Sequence, residues 1–307
     1  MDYQYKCKIC GYNDYKSISS NIKDWEYGFD GEFSYYQCAS CFSIQIHPFP
    51  DINDLIEAYK VDYHGFVSST QKGAVYSILY KIVEWLAVNK IRKYISVDSK
   101  VLDVGCGIGL FLARLKSMGL SHIEGIDFSR EAVAAVAAQG INCYSGTFID
   151  FKKDKQYYDV IVMNNYLEHT LNPLEELKKA RFLLKDEGVL MCELPNFNSW
   201  DRFLFGKYWG GNHVPRHTFQ FNRDNLTKLI NHAGFTRINI KYPLNTSHFA
   251  LSIQNFFQRN CKDFKNNKKL KHGRDKYYAV YMLALIPVNI LCILARKTGF
   301  MKICARL

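Results

Sequence analysis

The stretch VLDVGCGIGLF, residues 101–111, decides how this chain folds. A short run of β-favouring apolar residues leads into glycines at alternate positions, Gly105, Gly107 and Gly109, and a second apolar segment follows. Closely spaced glycines let the chain turn tightly and let its backbone approach a ligand. A strand, a glycine-rich turn and a helix in this order are typical of α/β folds that bind a nucleotide at the turn.

Outward from this stretch, short β-rich runs alternate with helical segments. The predicted strands after the turn are HIEGID, INCYS, YYDVIVMN and GVLMCEL, and then, beyond the helix RDNLTKLINHAGF, RINIKY and FALSIQNFF. This alternation predicts a parallel sheet with helices on both faces. The segment 51–98 precedes the predicted sheet in the sequence. It is predicted to be helical, because apolar residues recur there every three or four positions.

Two aspartates indicate which nucleotide the turn binds. The glycines are spaced G-x-G-x-G, which differs from the G-x-G-x-x-G of dinucleotide-binding folds. Asp127 ends the next predicted strand, where a carboxylate can accept both ribose hydroxyls of NAD or of S-adenosylmethionine. Asp103, just before the turn, would repel a pyrophosphate but would attract the cationic amine and sulfonium of S-adenosylmethionine. The pair therefore favours S-adenosylmethionine.

Residues 100–257 resemble the class I S-adenosylmethionine-dependent methyltransferases. VLDVGCGIG resembles their first motif, IEGIDFS their second, YDVIVMNNYLEHTLNPLEEL their fourth-strand motif and LLKDEGVLMCELPN their fifth-strand motif. The resemblance implies an α/β, Rossmann-like sheet whose glycine turn wraps the cofactor. At CYSGTFIDF the family often has an acidic residue near the adenine, and this chain has Thr147 and Phe148 instead. The implied cofactor-binding residues are Asp103, Gly105, Cys106, Gly107, Gly109, Asp127, Phe128, Thr147, Phe148, Asn164 and Asn165.

Two C-x-x-C pairs near the N-terminus predict a metal site. They are separated by 27 residues, so the aromatic-rich segment between them must form a hairpin or a flap. Four thiolates can close a tetrahedral, structural zinc site, and redox-active disulfides are the alternative. The predicted ligands are Cys7, Cys10, Cys38 and Cys41.

The segment around the second cysteine pair and beyond it also resembles the N-terminal zinc segment of sugar methyltransferases that act on nucleotide-linked or surface-polysaccharide sugars. In that group this module and the tyrosine-rich segment after it help to close the substrate site. The resemblance makes Tyr59 and Tyr63 candidate substrate contacts, with ordinary packing as the alternative.

Histidines after the fourth and fifth predicted strands are candidates for handling a proton. A hydroxyl that attacks a sulfonium methyl group benefits from a nearby base, and histidine suits that task. The first candidate is His217 in GGNHVPRHTFQF, the second is His169 in LEHT, and His213 is weaker. Arg216 is a further catalytic candidate, or it could steer a diphosphate. The alternative for His169 is a hydrogen bond at a helix start that shapes the cofactor cleft, and for His217 it is a hydrogen bond that anchors its loop.

The C-terminal part carries an apolar run at 277–295, which has no charged residue over 19 positions and basic residues on both sides. This length just reaches across a bilayer, but Pro287 and Asn289 in its middle make a bent, interfacial insertion equally consistent. A helix buried against the domain is the third alternative. We therefore divide the chain into a zinc-binding module (1–50), a helical cap or linker (51–98), a methyltransferase domain (99–260) and a basic linker with apolar helices (261–307).

Composition and charge narrow the range of possible partners and locations. The chain has 40 Lys and Arg against 29 Asp and Glu, a formal charge of +11 that favours anionic partners. Its N-terminus has no apolar signal-peptide core, so we expect a cytoplasmic protein, at the inner face of the membrane if the tail inserts.

The preferred function is methyl transfer to a sugar hydroxyl of a nucleotide-linked or lipid-linked glycan. Oxygen is favoured over carbon, because the sugar C-methyltransferases with this header usually carry an additional C-terminal domain. One alternative is an RNA methyltransferase, disfavoured because the N-terminal aromatics are not interleaved with a dense basic face. Another is a non-catalytic S-adenosylmethionine-binding assembly factor that docks on a membrane complex through 261–307.

Overall fold

The computed structural model describes residues 5–59, 91–258 and 277–307. The candidate Tyr63, the basic linker at 261–276 and most of the helix predicted within 51–98 lie outside these residues. The described chain forms two sheets, one of four strands and one of seven.

The four-stranded sheet is antiparallel and contains most of the N-terminal module. Its strands are β1 (Tyr15–Ile22), β2 (Phe33–Cys38), β3 (Ile44–His47) and, from much later in the chain, β9 (Phe219–Gln220). β1 and β2 form the hairpin expected between the cysteine pairs. β3 pairs with β9 through Ile44 and Gln220, so the module at 1–50 shares a sheet with the loop that carries the candidate histidines. Helix α1 (Ile52–Tyr59) follows β3.

The seven-stranded sheet has the order β10-β11-β8-β7-β4-β5-β6. Five of its strands are parallel, and β11 runs antiparallel to both of its neighbours. Its strands are β4 (Val101–Val104), β5 (Ile123–Asp127), β6 (Asn142–Ser145), β7 (Tyr158–Asn164), β8 (Leu184–Pro195), β10 (Arg237–Lys241) and β11 (Phe300–Arg306). The strand order reverses between β4 and β7, and in open α/β sheets the ligand crevice forms at the carboxyl ends of such strands.

Helices cover both faces of this sheet, which is the α/β, Rossmann-like architecture expected from the sequence. Local capping fixes their starts: Ser129 accepts from the amide of Ala132, and Asn172 caps the helix that begins at Pro173. The helices are α2 (Leu110–Ser117), α3 (Arg130–Ala137), α4 (Pro173–Leu183), α5 (Trp200–Phe205), α6 (Arg223–His232), α7 (Ser247–Gln258), α8 (Tyr278–Ala284) and α9 (Ile286–Leu294). Single 3₁₀ turns lie at Arg92–Tyr94, Leu167–His169 and Gly206–Tyr208.

The structure corrects two predictions about the C-terminal half. The segment FALSIQNFF is helical, because its buried residues Ala250, Leu251, Gln254 and Asn255 recur with a helical period. The boundary drawn at residue 260 is also wrong, because β11 inserts between β8 and β10 and completes the sheet. The methyltransferase fold therefore extends into the last residues of the chain.

The apolar run at 277–295 breaks into α8 and α9 rather than forming one helix. Proline at the start of α9 is compatible with a helix only in its first turn, which places the break just before Pro287. Among the residues that the structure describes, no helix combines the length and the apolar character needed to cross a membrane.

Candidate functional site

The glycine turn between β4 and α2 requires its glycines. Gly105, Gly107 and Gly109 all have positive φ, at 71°, 52° and 77°. A Cβ at Gly105 would lie 2.7 Å from the ring of Tyr166, and one at Gly109 would lie 2.6 Å from the side chain of Val136. The turn therefore packs directly against the loop after β7, and this contact joins the cofactor-binding edge to the candidate catalytic loop.

Asp127 ends β5 as predicted and holds the turn in place. Its Oδ2 accepts a hydrogen bond of 2.9 Å from the amide of Gly107, and its Oδ1 accepts one of 2.9 Å from the amide of Ser129. Burial raises the pKa of Asp127, and these amide donors oppose that rise. Each carboxylate oxygen keeps a second lone pair, so Asp127 can still accept ribose hydroxyls.

Asp103 is buried in β4, immediately before the turn. Burial, together with the nearby Asp127 and Cys143, raises its pKa to about 8. A cation that approaches a carboxyl group with such a raised pKa promotes its ionisation, because a positive charge favours the ionised form. This property fits the role predicted for Asp103 beside the sulfonium and amine of S-adenosylmethionine.

We expect the affinity for S-adenosylmethionine to rise between about pH 6 and pH 8, and then to level off. At the lower pH the free protein holds Asp103 protonated, so binding of a cationic ligand must release that proton. Asp103→Asn should weaken binding and flatten the dependence. Calorimetric titrations across this range, in two buffers of different ionisation enthalpy, measure both the affinity and the proton release. A wild-type affinity that does not change with pH would contradict the expectation.

The other predicted cofactor residues lie around the same turn in different environments. The thiol of Cys106 lies beneath it, 3.5 Å from that of Cys143, and Phe128 is exposed beside Asp127. Thr147 bonds the carboxylate of Asp150 at the surface. Phe148 buries its side chain in the main core. The remaining pair, Asn164 and Asn165, ends β7 and begins the following loop.

Three histidines that are distant in sequence meet beside this edge. The ring centroid of His169 lies 4.6 Å from that of His217 and 6.1 Å from that of His213, and the latter two are 4.9 Å apart. Thr218 joins their loops, because its amide and its hydroxyl both donate to the carbonyl of Glu168. The structure thus brings together the two predicted histidines and the weaker third candidate.

Each histidine is oriented by a partner at Nδ1. In His217 this atom lies 2.9 Å from the carbonyl of Gly211, and in His213 it lies 2.9 Å from the carboxylate of Glu26. In His169 it lies 2.8 Å from the hydroxyl of Tyr59 and 3.2 Å from the carbonyl of Arg216. Tyr59, a candidate from the sequence, also meets the ring of Phe128 and so stands between the histidines and the cofactor edge.

Burial keeps these imidazoles neutral. It lowers the pKa of His217 to about 4. It also lowers the pKa of His169 and of His213 well below the usual value, with smaller contributions from neighbouring positive groups. Neutral imidazoles can accept a proton or bind a metal ion.

Arg216 has a different role from the one predicted. It is fully buried, pairs with Asp24 at 2.9 Å and donates to the carbonyl of Ala58 at 3.0 Å. These contacts fix the histidine loop to α1 and to the N-terminal module. The guanidinium offers no exposed surface to a diphosphate, which corrects the prediction that it steers one. Arg216 is therefore a positioning residue.

Glu168 was not among the predicted site residues, and it lies in the centre of this region. It is only 1% exposed, and burial raises its pKa to about 8. Neither of its carboxylate oxygens has a hydrogen-bond partner among the described residues. Its position in LEHT, next to a candidate histidine, was the only signal that the sequence contained.

The four cysteines of the N-terminal module converge as predicted. Their sulfur atoms all lie within 4.8 Å of one another. Cys7 and Cys41 are 3.5 Å apart, and Cys10 and Cys38 are 3.6 Å apart, far beyond the length of a disulfide bond. Sulfur atoms bound to a common zinc ion at about 2.3 Å would stand at roughly this separation. The geometry fits a zinc site.

A protein-family model described as a methyltransferase domain matches residues 82–240, slightly more than half of the chain. The chain belongs to this methyltransferase family. The match confirms the enzyme class predicted from the glycine turn and the motifs that follow it. It does not test the sugar substrate or the zinc segment.

Similar proteins of this family include ubiquinone biosynthesis O-methyltransferases. That of Yersinia enterocolitica is 29% identical over 132 residues, which cover 39% of this chain and 53% of that protein. That of Burkholderia pseudomallei is 26% identical over 172 residues, which cover 50% of this chain and 72% of that protein. The chain thus spans about half the length of the first of these relatives.

Among solved structures, a methyltransferase from Archaeoglobus fulgidus described as SAM-dependent is 18% identical, with a TM-score of 0.49, and covers 76% of this chain and 100% of its own. A possible histamine N-methyltransferase from Thermotoga maritima is 15% identical, with a TM-score of 0.46. The match covers 75% of this chain and 96% of that one.

Proposed function

We propose that this methyltransferase transfers a methyl group from S-adenosylmethionine to a hydroxyl oxygen of a polar, sugar-like acceptor in a nucleotide-linked or lipid-linked glycan. The observation that carries the proposal is the cluster of buried Glu168, half-buried His169 and buried His217 beside the glycine turn. In the transfer, the acceptor oxygen forms a bond to the methyl carbon while the carbon–sulfur bond breaks and sulfur keeps the electron pair. The hydroxyl proton passes to the histidine cluster.

The polarity of the cluster supports a hydroxyl-rich acceptor. Three neutral imidazoles and two buried carboxyl groups, those of Glu26 and Glu168, lie in or beside it. A polar cluster of this kind matches several hydroxyl groups better than a long apolar chain. The relatives are named O-methyltransferases, which supports oxygen as the acceptor atom, and their ubiquinone pathway suggests a phenol as the competing acceptor.

An assay with radiolabelled S-adenosylmethionine tests this proposal. The acceptors are nucleotide-sugars, lipid-linked sugars, a catechol as a phenol and a transfer-RNA mixture at two salt concentrations. Label on the sugars is the expected result. Label on the catechol alone or on the RNA alone would overturn the sugar assignment, and cofactor binding without any transfer would support the assembly-factor alternative.

We further propose that the four cysteines hold a structural zinc ion. The ion would fix the turn at Cys7 and Cys10 to the turn between β2 and β3. β3 in turn pairs with β9, close to His217. Zinc would therefore stabilise the module against which the histidine loop packs, and its role here is structural because all four ligand positions are protein thiolates.

An apolar surface formed by α8 and α9 supports attachment to a membrane at the cytoplasmic face. These helices contain no charged residue, and much of their surface faces solvent. The exposed apolar side chains are Val280, Leu283, Val288, Ile290, Leu291 and Leu294. A surface of this kind, next to the lysine-rich sequence 261–276, matches an interfacial insertion into anionic lipid.

We expect the protein to sediment with phosphatidylglycerol vesicles more than with phosphatidylcholine vesicles. The double variant Leu291→Glu, Leu294→Glu should reduce the bound fraction at least about fivefold, because each charge must leave water to insert. Ile52→Glu, a similarly exposed position on α1, serves as the matched control. Equal binding of the double variant and the control would contradict a membrane contact through α9.

A further inference from the structure

The cluster of Glu168, His169 and His217 has the composition of a metal site. One potential ligand atom from each residue lies within 4.8 Å of the other two. Two imidazoles and one carboxylate form a common ligand set for divalent transition-metal ions. Ligand atoms bound to one ion at about 2.1 Å stand roughly 3–3.4 Å apart, so small side-chain rotations would close the set.

The unpartnered carboxylate of Glu168 is a second, independent observation. Burying a carboxyl group without hydrogen bonds is costly, and buried polar groups almost always have a partner. Both oxygens of Glu168 lack one within the described part of the chain, although its own backbone carbonyl accepts two hydrogen bonds from Thr218. The backbone is thus fixed, and no other residue in the described ranges donates a hydrogen bond to the side chain that would offset its burial.

The histidines are held as metal-binding histidines usually are. In such sites one ring nitrogen binds the ion, and the other donates to a carbonyl or a carboxylate. The carbonyl of Gly211 can only accept, so it favours the tautomer of His217 that carries the proton at Nδ1. The carbonyl of Arg216 favours the same tautomer of His169, and the hydroxyl oxygen of Tyr59 at 2.8 Å can also accept from that proton. Each ring then presents its Nε2 lone pair as the available ligand atom.

The surrounding charges allow a cation to bind. The fixed positive group that acts on His169 is Arg216, and Asp24 pairs with it at 2.9 Å. Glu26 lies against His213, and Glu193, which lies near Glu168, pairs with Lys302. His169 is half-buried rather than buried, which leaves a route by which an ion could enter.

We propose that Glu168, His169 and His217 bind one divalent transition-metal ion, of the class that accepts mixed imidazole and carboxylate ligands, separate from the cysteine site. Three protein ligands leave coordination positions open for an oxygen ligand. An acceptor hydroxyl bound there would lose its proton more readily, and because the Nε2 lone pairs of His169 and His217 would then hold the ion, the proton would leave to water; this deepens the proposed function and rests on it. The binding of the ion itself does not depend on that function.

The test is a titration of the full-length, zinc-loaded protein with cobalt chloride, followed by calorimetry and visible absorption. Cobalt bound by nitrogen and oxygen lacks the intense near-ultraviolet bands of cobalt bound by thiolates, so the spectrum identifies the site. We expect one cobalt ion per chain in addition to zinc. Glu168→Gln and His217→Ala should each weaken this binding at least about tenfold. The matched control is Glu175→Gln, which removes an exposed carboxylate on α4 that pairs with Lys178.

Several outcomes would overturn the site. They are the absence of cobalt binding beyond zinc in the wild type, thiolate bands in place of the expected spectrum, and variants that bind as tightly as the control. The cobalt titration of the wild type tests the proposed site even if a variant fails to fold. Binding of S-adenosylmethionine reports whether each variant is folded. Cobalt binding without transfer to any sugar would retain the metal site and reject the substrate assignment, so the two proposals fail separately.

Discussion

Asp127→Ala is expected to lower the affinity for S-adenosylmethionine at least about a hundredfold. The substitution removes two hydrogen bonds from a charged acceptor, each worth roughly 1.5–3 kcal/mol, and about 1.4 kcal/mol corresponds to a tenfold change. One of these bonds fixes the amide of Gly107 and so holds the glycine turn in its cofactor-binding shape. The same substitution also removes the acceptor predicted for the ribose hydroxyls. Both losses should weaken the binding of S-adenosylmethionine.

Calorimetry with S-adenosylmethionine and with NAD, on the wild type and on Asp127→Ala, measures this effect. Asp154→Ala is the matched control, because it removes an exposed aspartate from the loop before β7. The expected pattern is micromolar-range binding of S-adenosylmethionine by the wild type and the control, loss of binding in Asp127→Ala, and no binding of NAD. Binding of NAD alone would overturn the cofactor assignment and every site residue derived from it.

The sequence predicts the parallel part of the fold well because that part is encoded locally. Strands β4 to β8 each overlap one of the β-rich runs predicted from the sequence, and Asp127 lies where the second of them ends. β11 was missed because its place in the sheet depends on contacts with β8 and β10, residues far away in sequence. Local pattern separates strands from helices, but it does not show which distant segment fills a gap in a sheet.

In the candidate site, too, local features could be predicted from the sequence and features that depend on distant contacts could not. His169, His217 and the four cysteines could be predicted because their residue types and spacing carry chemical meaning. The burial of Arg216 and of Glu168 could not, because burial depends on how the N-terminal module packs on the histidine loop. A charged residue next to a histidine has the same appearance in a sequence whether it binds substrate or lies in the interior.

His217→Ala should lower kcat by about 10²–10⁴-fold while leaving cofactor affinity within about threefold of the wild type. The predicted cofactor-binding groups, Asp127 and the glycine turn, lie on β5 and after β4, whereas His217 belongs to the loop before β9. Its imidazole belongs to the cluster that we propose receives the acceptor proton, so its loss should act on the transfer step rather than on cofactor binding. His232→Ala, an exposed histidine at the end of α6, is the matched control.

Steady-state kinetics with the sugar acceptor, together with calorimetry for the cofactor, separates this role from a structural one. If His217 only anchored its loop through Gly211, its removal would disturb acceptor binding, and KM would rise with little change in kcat. If it acts on the proton or holds the proposed ion, kcat falls and cofactor affinity is retained. A kcat equal to that of the His232→Ala control would remove His217 from the mechanism and leave His169 as the stronger of the two remaining candidates.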